Sequence, residues 1–335
     1  MKRTNISIFI PHLGCPHRCS FCDQKSISGS AKAPSAAEVR SLLEEQAAHL
    51  AEKEIQAEIA FFGGSFTAVP EEYMKELLSV AEEAVKKYPV YDGIRCSTRP
   101  DCISEEILDI LCRYGVTAIE LGAQSMCGDV LAVNERGHTA EDVRRASEMI
   151  KARKIELGLQ MMTGLYGDTP DFCRKTAEEF IALKPQTVRI YPTVILEGTR
   201  LGELYKSGEY RSFSFEETVD LCAELLRKFE ENGISVIRMG LHASKEVERD
   251  MLGGVYHPAF REICESRLMY CDLLKILSEF PKGSYTVYTD KRNTSRLIGQ
   301  KRENILKLSE AGYDIKAANR QGAYLEISPD SNRGS

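Results

Sequence analysis

The sequence predicts an α/β fold, a partial (β/α)6 barrel carrying a small C-terminal α+β appendage, and three observations lead there. Short apolar runs alternate with longer amphipathic ones, the polar and glycine-rich departures fall just after the apolar runs, and the alternation stops near Lys282. Alternating βα units imply parallel strands joined by right-handed crossovers. In a barrel of such units the loops after the strands converge on one mouth, where reactive groups gather.

The first strand is Ile6 to Ile10, followed by a helix from Ser35 to Lys53 in which Ser35 and Glu38 are spaced as a capping box. Ile59 to Phe62 forms the second strand, and its helix spans Glu71 to Lys87, with Pro70 and two glutamates at the start. Gly93 to Ser97 leads into a helix from Ser104 to Arg113. Ala118 to Gly122 precedes one from Thr139 to Arg153, with Thr139 as N-cap. Glu156 to Met161 precedes Pro170 to Leu183, and Thr187 to Tyr191 precedes Phe215 to Glu231. Beyond Lys282 come a strand at Tyr285 to Tyr288, a helix from Thr294 to Ala311 and two closing strands. The expected boundaries are 1–240 for the barrel, 241–281 for a helical extension covering it, 282–330 for the appendage and 331–335 for a frayed tail.

At 335 residues the chain has room for a barrel of about 200 to 250 residues plus the appendage. A net charge of −6 offers no global attraction to nucleic acid, although Lys291, Arg292, Arg296, Lys301 and Arg302 make the appendage locally basic. No apolar run approaches the roughly 18 residues needed to cross a bilayer, and MKRTNISIFIPH lacks the apolar centre of a signal peptide. Eight of the eleven cysteines, Cys96, Cys102, Cys112, Cys127, Cys173, Cys222, Cys264 and Cys271, have no disulfide-framework spacing and are expected to be buried reduced thiols. Together these point to a cytoplasmic protein with no membrane contact.

The other three, Cys15, Cys19 and Cys22, lie in GCPHRCSFC directly after the first strand, spaced C-x3-C-x2-C. Three thiolates on one loop can hold three irons of a cubane [4Fe–4S] cluster, leaving the fourth iron open as a reaction site. The other reading is a zinc site completed by His12 or His17. Structural zinc sites usually split their ligands into two separated pairs, and no second pair is present.

This spacing, with Phe21 before the last cysteine, resembles the signature of the radical S-adenosylmethionine (SAM) superfamily. The resemblance implies that the open iron chelates the methionine moiety of SAM. The reduced cluster then cleaves SAM to a 5′-deoxyadenosyl radical that removes a hydrogen atom from substrate. It also implies a one-electron donor such as flavodoxin or ferredoxin. The cofactors carry the hard chemistry, and the protein positions them and keeps water out.

Later motifs extend the resemblance over about Asn5 to Leu277. Gly63, Gly64 and Ser65 follow the second strand and match the superfamily's glycine-rich segment, whose backbone holds the SAM ammonium. Cys96 to Asp101 is similar to the E-T-R-P-D stretch of the Elongator catalytic subunit, with Ser97 in place of glutamate, and Arg99 is either a ligand contact or part of a structural ion pair. Glu120 to Ser125 is similar to E-L-G-V-Q-S of Elongator-type enzymes and to its counterpart in oxygen-independent coproporphyrinogen III oxidases. Glu120 pointing into a barrel would need a partner, which a SAM ammonium or ribose hydroxyl would supply. Gln124 and Ser125 would donate to ribose or carboxylate. Arg136, in R-G-H-T, is a candidate for the SAM carboxylate, and Gln160 would fix SAM or substrate. Ile190 to Thr199 resembles the Y-P-T-V-x-x-x-G-T of the Elongator group, while Arg238 to His242 and Gly253 to Pro258 complete the mouth-facing set. His242 and His257 are read as structural, and no residue is assigned as catalytic.

The resemblance therefore implies a short relative of the Elongator catalytic subunit that has the radical SAM barrel without the acetyltransferase domain. Its substrate would be tRNA or another RNA. A porphyrin-type or other small molecule is the enzymatic alternative, and a non-catalytic metal-binding RNA-binding protein is the third. In the appendage Ile298 to Ile305 faintly resembles the I-G-x-x-G-x-x-I loop of KH domains, which clamps a nucleic-acid backbone, with Arg302 in place of the second glycine. A solvated basic helix start is the plainer reading of that stretch.

Overall fold

The computed structural model describes residues 2–10, 13, 15, 18–23 and 32–329. Contacts divide the chain into two compact units, residues 1–213 with 229–256 and residues 214–228 with 257–335. His12 and His17, which the zinc reading needs, lie outside the described residues, as does the expected tail.

The first unit is built on β1 (Lys2–Ile10), β2 (Ile55–Gly63), β3 (Tyr91–Thr98), β4 (Val116–Gln124), β5 (Glu156–Thr163), β6 (Thr187–Pro192), β7 (Val194–Leu196), β8 (Ser235–Met239) and β9 (Met251–Gly254). Seven of these make one sheet in the order β1-β2-β3-β4-β5-β6-β8, parallel at every pairing, and it curls into a half-barrel. The partial α/β barrel expected from sequence is present, with a seventh strand added by Ser235–Met239. A small antiparallel pair of β7 with β9, which the sequence did not disclose, holds the chain after Pro192 against the chain before Val255.

The crossover helices are α1 (Ala36–Glu52), α2 (Glu71–Lys87), α3 (Glu105–Arg113), α4 (Gly128–Val133), α5 (Ala140–Ala152), α6 (Pro170–Leu183) and α7 (Arg200–Ser207). Their starts follow from local chemistry. Ser35 and Glu38 form the capping box, Thr139 forms another with Asp142, and the Ser104 hydroxyl accepts from the Ile107 amide. The short helices α4 and α7 were not apparent from periodicity, because each has too few turns for a 3.6-residue pattern to stand out.

Strand geometry sorts the side chains by face. Ile59 and Phe61, Ile94 and Cys96, Ile119 and Leu121, Leu157 and Leu159, and Val188 and Ile190 are each 1% exposed or less. Their alternates on the other face, Glu58, Arg95, Ser97, Glu120, Gln160 and Arg189, meet one another. Period-two alternation therefore gives one apolar face and one polar, charge-lined lumen.

The second unit contains α8 (Phe215–Glu231) up to Lys228, then α10 (Phe260–Leu277), β10 (Gly283–Thr289), α11 (Thr294–Ile298), α12 (Glu303–Glu310), β11 (Tyr313–Asn319) and β12 (Glu326–Pro329), and α9 (Lys245–Asp250) belongs to the first unit. β10 is the central strand, parallel to β11 and antiparallel to β12. Met269, Leu273, Leu277, Val287, Leu297 and Leu308 pack into its core. The single helix expected over Thr294 to Ala311 is two helices. Gly299, Lys301 and Arg302 all take positive φ, and no helix continues through such backbone.

None of the eleven cysteines is in a disulfide. Cys96, Cys127, Cys173, Cys222 and Cys264 are buried as expected. Cys102 is only half-buried, and Cys112 and Cys271 are exposed, because each of these two lies on the solvent face of an amphipathic helix rather than on its apolar stripe. None of the helices among the described residues is long and apolar enough to cross a membrane.

Candidate functional site

The cysteine loop is held in place by groups far away in sequence. The Ser20 amide donates to the Asn134 carbonyl at 3.2 Å and its hydroxyl to Asn134 Oδ1 at 2.7 Å, while the Leu201 amide donates to the Ser20 carbonyl at 2.8 Å. Asn134 is fully buried, and its Nδ2 donates to the carbonyls of Val130 and Tyr166. The Cys22 amide closes a tight turn on the Cys19 carbonyl at 3.2 Å. Burial first, and then the neighbouring Cys19 and Cys15, push the Cys22 thiol up to about 12. A thiol that burial and two neighbouring sulfurs keep protonated belongs to a donor set that a cationic centre stabilises, releasing protons as it binds.

Gly63 and Gly64 bring β2 against this loop. Gly63 has φ +115°, and the Gly64 amide donates to the Ile10 carbonyl at 3.0 Å. A Cβ on Gly64 would stand 2.4 Å from the Leu13 carbonyl oxygen and 3.4 Å from Cys15 Sγ, so only glycine leaves the loop where it is. Arg136 reaches the loop from the other side. Its Nη1 donates to Cys19 Sγ at 3.0 Å, its Nη2 to the Gly122 carbonyl at 2.6 Å, and its guanidinium lies 6.0 Å from the half-buried Phe21 ring. Phe21 packs against two apolar clusters, one of Cys127, Val130 and Leu165 and one of Ile195, Leu201 and Tyr210.

Two buried polar atoms here lack a partner among the described residues, Arg136 Nε and Gln124 Oε1, and Gln124 holds φ +65°. A donor and an acceptor left open beside the cysteine loop suit a ligand with both a carboxylate and an ammonium, such as the methionyl end of SAM. Strained backbone at such a place is a mark of a ligand-facing position. Among the described residues no three His, Cys, Asp or Glu side chains converge to hold a single metal ion. The donor set and the glycine cradle thus fit a [4Fe–4S] cluster with SAM.

Glu120 and Gln160 form a separate, deeper group. Glu120 is 1% exposed and accepts from Arg189 Nε at 2.6 Å, Arg189 Nη2 at 2.8 Å and Gln160 Nε2 at 2.8 Å, with Arg95 Nη1 at 3.5 Å. Its partner is an arginine of the same lumen, so the expected need for a ligand cation is met from within the protein. Gly158 makes room for it, since a Cβ there would lie 2.9 Å from Glu120 Cγ. Arg95 continues the network to Glu58 and Glu156, each at 2.9 Å.

Ser65 and Ser125 are turned into packing. Ser65 Oγ is 2.7 Å from Thr98 Oγ1 and accepts from the Arg99 amide, while Ser125 Oγ accepts from the Cys127 amide at 3.1 Å. Arg99 resolves to the structural alternative, ion-paired with Asp101 and donating to the Arg136 carbonyl. Sequence reasoning missed Asn134 and Arg189, although each had a signal, an asparagine two residues before Arg136 and an arginine inside the apolar strand Val188–Ile190.

Comparison with known proteins shows the family to which most of the chain belongs. Residues 9–180 match the family described as the Radical SAM superfamily, and residues 185–270 match the Radical SAM C-terminal domain. The uncharacterized protein MJ0486 of Methanocaldococcus jannaschii is 33% identical over 227 residues, covering 64% of this chain and 68% of that protein. Elongator complex protein 3 of Mus musculus is 32% identical over 206 residues, 54% of this chain and 37% of its own length. The tRNA uridine(34) acetyltransferase of Methanocaldococcus infernus is 30% identical over 185 residues, 50% and 35%. The chain thus spans about a third of the length of these last two relatives. The solved structure of Methanocaldococcus infernus Elp3 with an N-terminal deletion aligns at TM-score 0.61 with 19% identity, covering 83% of this chain and 63% of that one, and so shares the fold.

Proposed function

The chain belongs to the radical SAM superfamily and is an enzyme of that kind, and on this premise we propose that Cys15, Cys19 and Cys22 hold a [4Fe–4S] cluster whose open iron binds SAM. The observation that carries this reading is the convergence of Gly64 and Arg136, from two different strand-following loops, on Cys15 and Cys19. When bound, the reduced cluster and SAM supply a one-electron cleavage whose organic radical removes a hydrogen atom from substrate. The protein's own part is orientation. Arg136 fixes the Cys19 sulfur and offers Nε toward a carboxylate, Gln124 Oε1 accepts from an ammonium, and Phe21 with Leu165 and Val130 walls the adenine side against water. A donor such as flavodoxin or ferredoxin delivers the electron. The test is anaerobic reconstitution followed by SAM and reductant. Formation of 5′-deoxyadenosine is expected, and iron and sulfide loading without that product rejects the catalytic reading in favour of a cluster that only holds structure.

RNA is the substrate class we favour, and one observation in the second unit supports it. Gly299–Arg302 joins α11 to α12 between two parallel strands, and Lys301 and Arg302, both exposed, keep the left-handed backbone that glycine would take freely. Each such residue costs about 1 to 3 kcal/mol, strain that a loop shaped to grip a phosphate backbone would explain. Neither side chain has an acidic partner among the described residues. The tRNA acetyltransferase among the relatives points the same way. A mobility shift with tRNA is expected, lost at moderate salt and weakened in K301A/R302A. No shift at low salt favours a small-molecule substrate.

A further inference from the structure

The last strand of the half-barrel is irregular in one place. β8 pairs with β6 as Val188 with Val236 and then Arg189 with Arg238, so Ile237 is an extra residue on the β8 side. Without this bulge, alternation would put Arg238 on the same face as Val236, against the helices. With it, Arg238 shares the lumen face of its direct neighbour Arg189, while Ile237 is left 42% exposed. Bulges of this kind re-aim a side chain beside a functional site.

The two arginines differ in what they meet. Arg189 is neutralised by Glu120, and its guanidinium lies 5.1 Å from the Phe62 ring. Arg238 donates from Nε to the Gly240 carbonyl at 2.9 Å, and among the described residues no carboxylate is within ion-pair distance of it. The lumen acids Glu58, Glu120 and Glu156 are all taken by Arg95 and Arg189. Two like charges on directly opposite positions of paired strands repel, and here nothing in the strands offsets the second. Tyr191, a phenol that can donate, and His242 lie close enough that both arginines act on their ionisation. Partial desolvation, then Arg238, then Arg189 lower His242, which is an exposed residue.

We propose that Arg238, with Tyr191 and His242, is an oxyanion-binding subsite of the substrate, receiving a carboxylate or phosphate at the sheet edge opposite the cysteine loop. It rests on the reading of the lumen mouth as the place where substrate lies, and it names the charge that the substrate carries there. The guanidinium fork suits either group, and among the described residues Arg238 is the lumen arginine without a carboxylate partner.

Inorganic phosphate and acetate serve as probes on the 335-residue chain. Calorimetry gives affinity, and NMR of the His242 ring, assigned with H242Q, gives location. One anion or both are expected to bind and to raise the His242 ionisation midpoint. A response to phosphate alone marks a phosphorylated substrate, and one to acetate alone a carboxylate. R238Q should weaken binding about tenfold or more, raise the His242 midpoint without any anion and remove its response, while R238K keeps part of each. Loss of a like-charge contact should leave R238Q as thermally stable as the parent, which separates binding from misfolding. Failure of both anions to bind, or equal binding by R238Q, overturns the proposal. Since neither measurement uses cluster or SAM, missing 5′-deoxyadenosine alongside a positive result would reject the radical SAM reading and leave this subsite standing.

Discussion

Arg136 holds Cys19, 117 residues away, through a 3.0 Å hydrogen bond to sulfur, and anchors itself on the Gly122 carbonyl at 2.6 Å. It thereby ties the cysteine loop after β1 to the end of β4, and on the proposed cluster a charge-assisted bond to Cys19 sulfur would affect how firmly iron is kept. Loss of such a bond costs about 1.5 to 3 kcal/mol. Reconstituted R136A should therefore surrender iron to a chelator about tenfold faster than the parent protein. Equal release rates would assign Arg136 to SAM alone.

Gly64→Ala should spare the fold and spoil the proposed cluster site. The added methyl must displace the Leu13 carbonyl, 2.4 Å away, and crowd Cys15 Sγ. Overpacking of this size costs about 1 to 3 kcal/mol. Circular dichroism is expected to stay native while iron and sulfide per chain fall well below the parent value. Full loading of G64A would show that the loop yields without consequence.

Glu120 and Arg189 are a buried pair whose members depend on each other, with Arg189 Nε 2.6 Å from the carboxylate. E120A leaves a buried guanidinium uncompensated and should lose about 3 to 5 kcal/mol in urea denaturation. E120A/R189M should recover much of that loss. If the double variant is no better than the single one, the pair is not what stabilises the lumen.

His138 gives the protein a pH-dependent stability. Nε2 is 3.1 Å from the Ala123 carbonyl, an acceptor only, so the neutral ring carries its proton there and leaves Nδ1 without a partner among the described residues. Burial, then the charges of Arg136 and Arg99, lower its pKa from 6.5 to about 4. The unfolded chain takes up a proton as pH falls through 6.5, but the folded one does so only near 4. Stability is therefore full above the unfolded value and declines between the two. Unfolding free energy of the metal-free protein should drop by about 2 to 3 kcal/mol from pH 7 to pH 4.5 on this account, and H138Q should lack that part of the slope. An unchanged slope in H138Q would place the titrating group elsewhere.

The cysteine spacing, the glycine pair after the second strand and the order of βα units were legible in the sequence because each depends on local chemistry. A thiolate triad, a close backbone approach and an apolar period are readable within a few residues, and capping at Ser35, Ser104 and Thr139 marked the helix starts for the same reason. Which polar residues meet was decided only by folding. Glu120 finds Arg189 instead of a ligand because both point inward from neighbouring parts of one lumen, Ser65 and Ser125 turn into packing, and Arg238 enters the lumen through a single bulge residue. Contacts between residues about 50 to 120 positions apart are set by strand register and sheet curl, which no local pattern encodes.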